Sequence, residues 1–194
     1  QSGRVAELRG KIVLEPEYRN TEALRGIEDF SHLWLIFGFS EAKYDGKSMT
    51  VRPPRLGGNT RIGIFASRSP YRPNSLGLSV VALESVDEDG ITVSGVDILD
   101  ATPIYDIKPY IPYADSRPDA AGSFADEMQN YRLKVEDENG FLDIVPEEKR
   151  NALIACLSED PRPSYHTDDR LYSMQFAEFD VHFNVTDGVL KVTG

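Results

Sequence analysis

Runs of alternating and continuous apolar residues predict a chain built mainly of β-strands. The clearest hairpin joins the β-rich runs 79–86 and 91–98 through the turn Asp87-Glu88-Asp89-Gly90. Residues 181–185 alternate between apolar and polar, and a turn at 187–188 leads from them into the strand 189–192. Further strands are predicted over 9–14, 31–39, 61–66, 104–110 and 131–136. The run 31–39 is apolar enough to predict burial on both of its faces.

Two helices and a change of composition complete the predicted organisation. A one-turn helix is predicted over 21–26, with Thr21 as its cap and Gly26 at its end. A longer helix is predicted from Pro146 onward, because proline is well tolerated at a first helical position. The segment 115–123 has the composition of a linker. The predicted fold class is therefore mostly β (α+β), with a β-rich domain over 1–120 and a small α+β C-terminal appendage over 121–194.

Composition narrows the class of protein. Apolar residues make up 40% of the chain, which is enough for a sizeable core. The longest apolar run, 33–39, is too short to cross a bilayer as a helix, and the first residues lack the basic-then-apolar pattern of a secretion signal. The single cysteine, Cys156, excludes an intrachain disulfide and a cysteine-rich zinc site. We therefore expect a reducing, cytoplasmic location.

Charge is distributed unevenly along the chain. The net charge is −11, which by itself argues against a nucleic-acid partner. The basic segment, residues 46–83, nevertheless contains no acidic residue. Its six cationic side chains are Lys47, Arg52, Arg55, Arg61, Arg68 and Arg72. This asymmetry predicts a focused anion site on an otherwise acidic protein.

The residues of the basic segment are suited to bind an anion, although they do not form a known phosphate-binding motif. Guanidinium groups pair with phosphate or carboxylate in a two-pronged geometry, and neighbouring prolines restrict the backbone that presents them. The alternative is that the Arg-Pro and Gly-Gly pairs are turn residues in exposed loops. The sequence has neither a P-loop nor a dinucleotide-binding glycine fingerprint, and the three histidines lack the spacing of metal ligands.

A second cluster of polar residues covers 95–110. It holds three carboxylates, one lysine and two tyrosines. A carboxylate here is suited to accept a proton or to hold a ligand. The alternative is structural, with Asp100 forming a turn and Asp106 pairing with Lys108. Composition alone leaves these two interpretations open.

Four segments in consistent order resemble the TrmO family, also described as TsaA-like or YaeB-like, of S-adenosylmethionine-dependent tRNA methyltransferases. They are Phe30-Ser31-His32-Leu33-Trp34, Val51-Arg52-Pro53-Pro54-Arg55-Leu56-Gly57-Gly58, Phe65-Ala66-Ser67-Arg68-Ser69-Pro70-Tyr71-Arg72-Pro73-Asn74 and Asp106-Ile107-Lys108-Pro109-Tyr110. The resemblance extends from residue 1 to about 115. In addition, Asp160-Pro161-Arg162-Pro163 resembles the C-terminal extension of longer bacterial members.

The family resemblance implies a fold, a reaction and a set of cofactor residues. It implies a β-barrel-like methyltransferase domain of non-Rossmann type, a homodimer with S-adenosylmethionine near the subunit interface, and methylation of N6 in N6-threonylcarbamoyladenosine beside the anticodon of tRNA. Cofactor binding is assigned by resemblance to Gln1, Ser2, Gly3, Glu41, Ala42, Arg68, Leu78, Asp100, Ala101, Thr102, Pro103 and Ile104. Ala101 stands where the family usually has glycine, so we expect strain if this position has a positive φ.

The remaining site residues follow from the chemistry of that reaction. We expect Asp106 to act as the general base, with Tyr110 or Lys108 tuning or orienting it, and with Asp97 and Asp100 as the alternative bases. Binding of tRNA phosphates, or of the carboxylate of the threonyl group, is assigned to Arg52, Arg55, Arg61 and Arg72. Two alternative functions are a non-catalytic RNA-binding module and an enzyme that acts on a small phosphorylated or adenylated metabolite. No metal and no membrane partner are expected.

Overall fold

A computed structural model describes residues 3–53, 60–127, 129–162 and 170–194. The chain divides into two compact units. The first unit contains the residues up to 51 together with 63–120, and the second contains 52–62 together with 121–194. Strands outweigh helices, at 33% against 21% of the described residues, so the predicted mostly β (α+β) class is confirmed. No helix in the described part of the chain is long and apolar enough to span a membrane.

The first unit contains most of the strands that the sequence predicted. Its elements are β1 (Arg9–Ile12), α1 (Thr21–Leu24), β2 (His32–Gly38), β3 (Thr50–Val51), β5 (Leu76–Asp87), β6 (Gly90–Ser94), β7 (Ile104–Pro109) and α2 (Pro112–Asp115). The two-residue strand β4 (Ile62–Gly63) falls at the boundary between the units. The β5–β6 hairpin, β1, β2 and β7 confirm the predictions for these regions. The predicted strand 61–66 is much shorter, because it gives way to a 3-10 turn over Ile64–Ala66.

The first unit is organised around a five-stranded sheet in the order β1-β6-β5-β2-β7. Strand β2 is antiparallel to both β5 and β7. Its odd-numbered residues Leu33, Leu35 and Phe37 are buried in the core. Trp34 and Ile36 are only half-buried. The prediction that this strand is buried on both faces is therefore wrong, and one face of β2 remains accessible.

The order of strands in the sheet is relevant to whether the sheet closes into a barrel. Strands β1 and β7 form the two ends of the sheet order in the described part of the first unit. Closure of the sheet into a barrel, which the family resemblance implies, stays a prediction. The missing glycine fingerprint and the antiparallel pairing both agree with a non-Rossmann domain.

The short helix α1 begins one residue earlier than its sequence suggests. The Asn20 side chain accepts a hydrogen bond from the backbone N–H of Glu22 at 2.9 Å, so Asn20 is the cap and not Thr21. Asparagine and threonine are both good caps, and local sequence does not separate them here. Gly26, with φ of 82°, follows the helix and supplies the left-handed turn that ends it.

The second unit packs helices against a four-stranded sheet. Its elements are α3 (Phe124–Glu127), β8 (Lys134–Asp137), α4 (Phe141–Ile144), α5 (Glu147–Ser158), β9 (Tyr172–Phe176), β10 (Phe179–Thr186) and β11 (Val189–Val192). The sheet order is β8-β11-β10-β9. Val181, Phe183 and Val185 alternate into a core shared with Leu153 and Leu157 of α5. The predicted helix after Pro146 and the predicted strands 181–185 and 189–192 are thus confirmed.

An ion pair follows α5 in the second unit. Arg162 donates two hydrogen bonds to the Asp160 carboxylate, at 2.8 and 2.9 Å, and the Tyr131 hydroxyl donates to the same group at 2.9 Å. Asp160 has φ of 57°, an unfavourable value for a residue other than glycine. These three hydrogen bonds hold the chain in that conformation. The Asp160-Pro161-Arg162 motif therefore has a structural role where helix α5 ends.

Replacement of Gly77 tests the packing behind β2. A Cβ atom at Gly77 would overlap the ring of Phe37, which is 5% exposed and lies in the core. We expect Gly77→Ala to lower the free energy of unfolding by about 3 kcal/mol, because an overpacked core cannot absorb an added methyl group. Urea denaturation provides the measurement.

Gly63→Ala is the matched control for Gly77→Ala. A Cβ at Gly63 meets open space, and φ at this residue is an ordinary −59°. We expect Gly63→Ala to change stability by about 0.5 kcal/mol or less. The packing model is contradicted if both variants are equally stable. It is also contradicted if Phe37→Leu, which shortens the ring, fails to recover part of the stability of Gly77→Ala.

Candidate functional site

The accessible face of the first sheet brings predicted site residues into rows across three strands. Ile36 of β2 pairs with Leu78 of β5 on one side and with Asp106 of β7 on the other. Residues paired directly across strands present their side chains on the same face. One row therefore joins a predicted cofactor residue, Leu78, to the predicted base, Asp106.

The next row on the same face lies two residues along β2. There Trp34 pairs with Val80 of β5 and with Lys108 of β7. Successive residues on one face of a strand are about 7 Å apart, because each residue advances the strand by about 3.4 Å. Lys108 is thus the neighbour of Asp106 on this face.

Two loops meet the end of β2. The backbone N–H of Gly38 donates to the carbonyl of Pro103 at 3.0 Å, and the N–H of Phe39 donates to the carbonyl of Ser75 at 2.8 Å. The end of β2 is therefore clamped between loop 100–103 and the loop that leads into β5. Glu41 and Ala42 follow directly after this clamped end. Most of the cofactor residues predicted from the family resemblance are gathered around this point.

Ala101, which stands where the family usually has glycine, has the positive φ that was expected to strain the loop. Its φ is 58°, in the left-handed region. The adjacent Thr102 N–H donates to the carbonyl of Leu99 at 3.3 Å, which closes the turn. The expectation of strain at a positive φ is confirmed. The loop is held in this form by the Gly38–Pro103 hydrogen bond at its end.

The face beside these loops is apolar and exposed. Leu76, Leu78 and Tyr105 have exposed fractions of 49%, 56% and 63%. A Cβ at Gly38 would collide with the Tyr105 ring, so the tyrosine lies over the glycine backbone. Large apolar side chains clustered on an accessible sheet face are typical of ligand or protein contacts.

The loop that carries Arg68 is organised by its own serines. Ser67 Oγ donates to the Ile64 carbonyl at 2.9 Å and accepts from the Ser69 N–H at 3.3 Å. Arg72 Nη1 donates to the carbonyls of Ser67 and Ser69, at 3.1 and 3.3 Å. Arg72 therefore braces the loop, while Arg68 lies exposed at its centre. A guanidinium has five donors, so this bracing does not prevent Arg72 from contacting an anion.

Asp106 and Lys108 form an ion pair at the surface. Lys108 Nζ lies 2.9 Å from Asp106 Oδ2, and the backbone N–H of Ile107 donates to Asp106 Oδ1 at 2.9 Å. The hydrogen bond from Lys108 is the main cause that holds the pKa of Asp106 below its usual value. The carboxylate is therefore ionised at neutral pH. The structural interpretation, in which Asp106 pairs with Lys108, is confirmed. The role of Asp106 as a general base stays a prediction.

An aromatic cluster that sequence reasoning did not identify lies beyond Lys108. The ring of Tyr110 is 5.8 Å from that of Trp34 and 6.3 Å from that of His32, measured between centroids. Trp34 Nε1 donates to Asp115 Oδ2 at 2.9 Å, and the Ile111 N–H donates to the same oxygen at 2.9 Å. These two hydrogen bonds, the backbone one first, hold the pKa of Asp115 below its usual value. One sequence signal was available. Trp34 is an even-numbered residue of β2, and it alternates with the buried Leu33 and Leu35.

Comparison with known proteins gives the family. Residues 1–116 match the family model described as the tRNA-methyltransferase O N-terminal domain, and residues 123–194 match the TrmO C-terminal domain. Together these matches cover nearly the whole chain.

The chain belongs to the TrmO family.

Individual relatives agree with the TrmO assignment. The tRNA (adenine(37)-N6)-methyltransferase of Escherichia coli (strain K12) is 38% identical over 99% of this chain and 87% of its own length. A putative S-adenosylmethionine-dependent methyltransferase, RcsF, of Pseudomonas aeruginosa is 40% identical over 91% of this chain and 80% of its own length. A crystal structure of TrmO from P. aeruginosa matches with a TM-score of 0.80 and 32% identity, over 98% of this chain and 84% of that one. The family predicted from the sequence motifs is confirmed.

Some residues assigned by the TrmO resemblance lie elsewhere. The Gly3 N–H donates to the Gly95 carbonyl at 2.8 Å, beside the end of β6. The neighbouring Ser94 pairs with Ala82, four residues along β5 from Leu78. Gly3 is therefore not among the residues gathered around the end of β2. Gln1, Ser2 and Arg55 lie outside the described residues.

The predicted tRNA-binding arginines are divided between the units. Arg52 and Arg61 are exposed and belong to the segment that groups with the second unit. Arg72 belongs to the first unit, in the loop that it braces. Their roles in binding RNA stay predictions.

The residues around the end of β2 fit the TrmO cofactor by their chemistry. A sulfonium nucleoside with an amino-acid tail needs a cation for its carboxylate, acceptors for its ribose hydroxyls and an apolar surface for its adenine. Near the end of β2, Glu41 and Asp100 would supply the second and the exposed Leu78 the third. Arg68, exposed in the loop that Arg72 braces, would supply the first. Among the described residues, no group of three His, Cys, Asp or Glu side chains has the arrangement of a metal site.

Replacement of Ala101 by glycine tests the strained turn. Because an alanine at φ of 58° loses about 1 kcal/mol relative to glycine, we expect Ala101→Gly to raise the free energy of unfolding by about that amount. Thermal and urea denaturation give the value. Ala114→Gly, in helix α2, is the control and should be destabilising. Equal destabilisation of both variants would show that position 101 carries no strain.

Proposed function

We propose that this chain transfers a methyl group from S-adenosylmethionine to N6 of N6-threonylcarbamoyladenosine, next to the anticodon of tRNA. The wider class, S-adenosylmethionine-dependent tRNA methyltransferase, follows from membership of the TrmO family. We further propose that the protein acts in the cytoplasm as a homodimer, and that its two domains are 1–120 and 121–194.

One observation supports this function most directly. The row Leu78–Ile36–Asp106 joins the cofactor residues at the end of β2 to the carboxylate proposed as the base. When bound there, S-adenosylmethionine supplies an electrophilic methyl group carried by a sulfonium. Methyl transfer is an in-line displacement, so holding the acceptor nitrogen between cofactor and base supplies much of the rate. Paired strands on the accessible face would be suited to hold such an arrangement.

The acceptor nitrogen requires activation by the protein. In the threonylcarbamoyl group N6 belongs to a urea, and its lone pair is delocalised into the carbonyl. Asp106, ionised at neutral pH, accepts the N6 proton as the new N–C bond forms. Lys108 lies beside it and stabilises the negative charge that develops on the urea oxygen. Tyr110 orients the acceptor from the adjoining aromatic cluster.

The arginines of the basic segment serve the RNA backbone in this proposal. Arg52, Arg55, Arg61 and Arg72 bind tRNA phosphates, or the carboxylate of the threonyl group, through charge-assisted hydrogen bonds. Arg52 and Arg61 are exposed, as such a role requires. The concentration of cations in one acid-free segment of the sequence would allow a chain with a net charge of −11 to bind an anionic polymer.

Two features of the first unit support the homodimer. The exposed Leu76, Leu78 and Tyr105 form an apolar area of the kind that a second copy covers. Gly3 is assigned to cofactor binding by the family resemblance, yet it lies beside Gly95 and not at the end of β2. A second copy that supplied the N-terminal segment to the site would account for both features.

Transfer of labelled methyl groups tests the proposed reaction. The protein is incubated with S-adenosylmethionine carrying a labelled methyl group and with two samples of the same tRNA, one bearing threonylcarbamoyladenosine and one unmodified. We expect label only in the modified tRNA. Equal labelling of both samples would contradict the proposed acceptor, and labelling of neither would contradict the reaction.

The pH dependence of the rate tests the roles of Asp106 and Lys108. Asp106→Asn should lower kcat by about a hundredfold or more, because the base is lost. Lys108 lowers the pKa of Asp106, so Lys108→Met should raise that pKa and shift the acidic limb of the kcat/KM profile to higher pH.

Lys11→Met is the matched control for Lys108→Met. Lys11 makes an equivalent surface pair with Asp87, at 3.0 Å, and likewise lowers the pKa of that carboxyl group. We expect its replacement to leave the pH profile unchanged. An unshifted acidic limb in Lys108→Met, or full turnover by Asp106→Asn, would remove Asp106 from the role of base.

A further inference from the structure

Of the aromatic cluster of His32, Trp34 and Tyr110, only Tyr110 has a role in the proposed methyl transfer. His32 and Trp34 belong to β2, and Tyr110 directly follows the adjacent strand β7. The Tyr110 N–H donates to the His32 carbonyl at 2.9 Å, which extends the β2–β7 pairing to the end of the cluster. Trp34 belongs to the same row as Lys108, next to the proposed base. The cluster therefore adjoins the proposed reaction centre on the accessible face.

The rings of the cluster are inclined to one another and are not stacked. The planes of Trp34 and Tyr110 are inclined by 49°, and those of His32 and Tyr110 by 62°. Inclined rings contact each other through edges, whereas parallel rings would bury each other's faces. Trp34 and Tyr110 are half-buried and His32 is exposed. The cluster thus offers aromatic surface to a flat partner.

Trp34 is held in place before any partner arrives. Its Nε1 donates to Asp115, and the same carboxylate oxygen accepts the Ile111 N–H. Asp115 is the last residue of helix α2, so this contact ties the segment after β7 back onto β2. A ring whose orientation is already fixed loses little conformational entropy on binding.

The charges around the cluster indicate the chemistry of the partner. Asp115 places a carboxylate on Trp34, and a second carboxylate, Asp106, lies one row away and is paired with Lys108. A phosphate would be repelled by these carboxylates, whereas a neutral nucleobase would not. Successive bases of single-stranded RNA stack on aromatic side chains in this way, with little dependence on base identity.

We propose that Trp34 and Tyr110, with His32 at their edge, form a stacking platform for a base of the tRNA anticodon loop, and that Asp115 is the positioning residue that fixes this platform. The proposal rests on the proposed function for the identity of the RNA. The stacked base neighbours the modified adenosine, because the platform lies one row from Asp106 on the same sheet face. The platform would thus hold the anticodon loop open while the acceptor nitrogen reaches Asp106.

The fluorescence of tryptophan tests this platform directly. Trp34 is the single tryptophan of the chain, so its emission can be excited selectively in the presence of nine tyrosines. The full protein is titrated with an anticodon stem-loop oligoribonucleotide, and binding is followed independently by the anisotropy of a dye on the RNA. We expect emission to be quenched as the RNA binds. We expect an abasic substitution at one position next to the modified adenosine to abolish the quenching.

Variants separate stacking from a merely structural role. Trp34→Ala should weaken stem-loop binding by about tenfold, within the range for loss of one stacked base, and Trp34→Phe should recover most of it. Asp115→Ala should reduce the quenching amplitude, and Asp115→Asn should restore it, because an amide oxygen accepts the same hydrogen bonds. Asp119→Ala removes a carboxylate from the same region of the chain and should leave quenching unchanged.

Several outcomes would overturn the proposal. Unchanged emission at RNA concentrations that saturate the anisotropy signal would show that no base stacks on Trp34. Emission that changes with protein concentration in the absence of RNA, and then no longer responds to RNA, would assign the cluster to an interface between copies of the chain. Neither readout depends on methyl transfer, so failure of the labelling experiment with intact quenching would overturn the reaction and leave the platform standing.

Discussion

The first unit depends on the one-sided burial of strand β2. Leu33, Leu35 and Phe37 lie in the core, and Phe37 fits only because Gly77 has no side chain opposite it. This packing fixes the register of β2 against both neighbouring strands. A shift of one residue would exchange the buried and accessible sets, which would be too costly to occur. The positions of Leu78, Asp106 and Lys108 on the accessible face are consequences of this constraint.

The two ends of β2 on the accessible face differ in chemistry. At the end of β2, backbone hydrogen bonds from Gly38 and Phe39 collect two loops that are distant in sequence. At the beginning of β2, aromatic rings gather around Trp34. The Asp106–Lys108 pair lies between them. A cofactor at one end and a stacked RNA base at the other would place the acceptor adenosine, next to that base, over the pair. Geometry and not unusual side-chain reactivity would then account for most of the catalysis.

The parts of the fold that depend on local patterns were predictable from the sequence, and the parts that depend on tertiary contacts were not. The β5–β6 hairpin and the alternation of Val181, Phe183 and Val185 follow from residue type and spacing alone. The strain at Ala101 was predictable because alanine replaces glycine in a recognisable motif. The Trp34–Asp115 hydrogen bond was not, because it joins residues far apart in sequence. Likewise, a continuous apolar run does not reveal whether one face of β2 or both are covered.

Mapping of cofactor binding along the backbone tests whether the cofactor lies at the end of β2. The protein, labelled with ¹⁵N, is titrated with S-adenosylhomocysteine, and amide chemical shifts are followed by NMR. We predict that the changes concentrate at residues 36–42, 76–80 and 100–106, which surround the end of β2 on the accessible face. Changes confined to the second unit, with residues 100–106 unaffected, would contradict the placement of the cofactor beside Asp106.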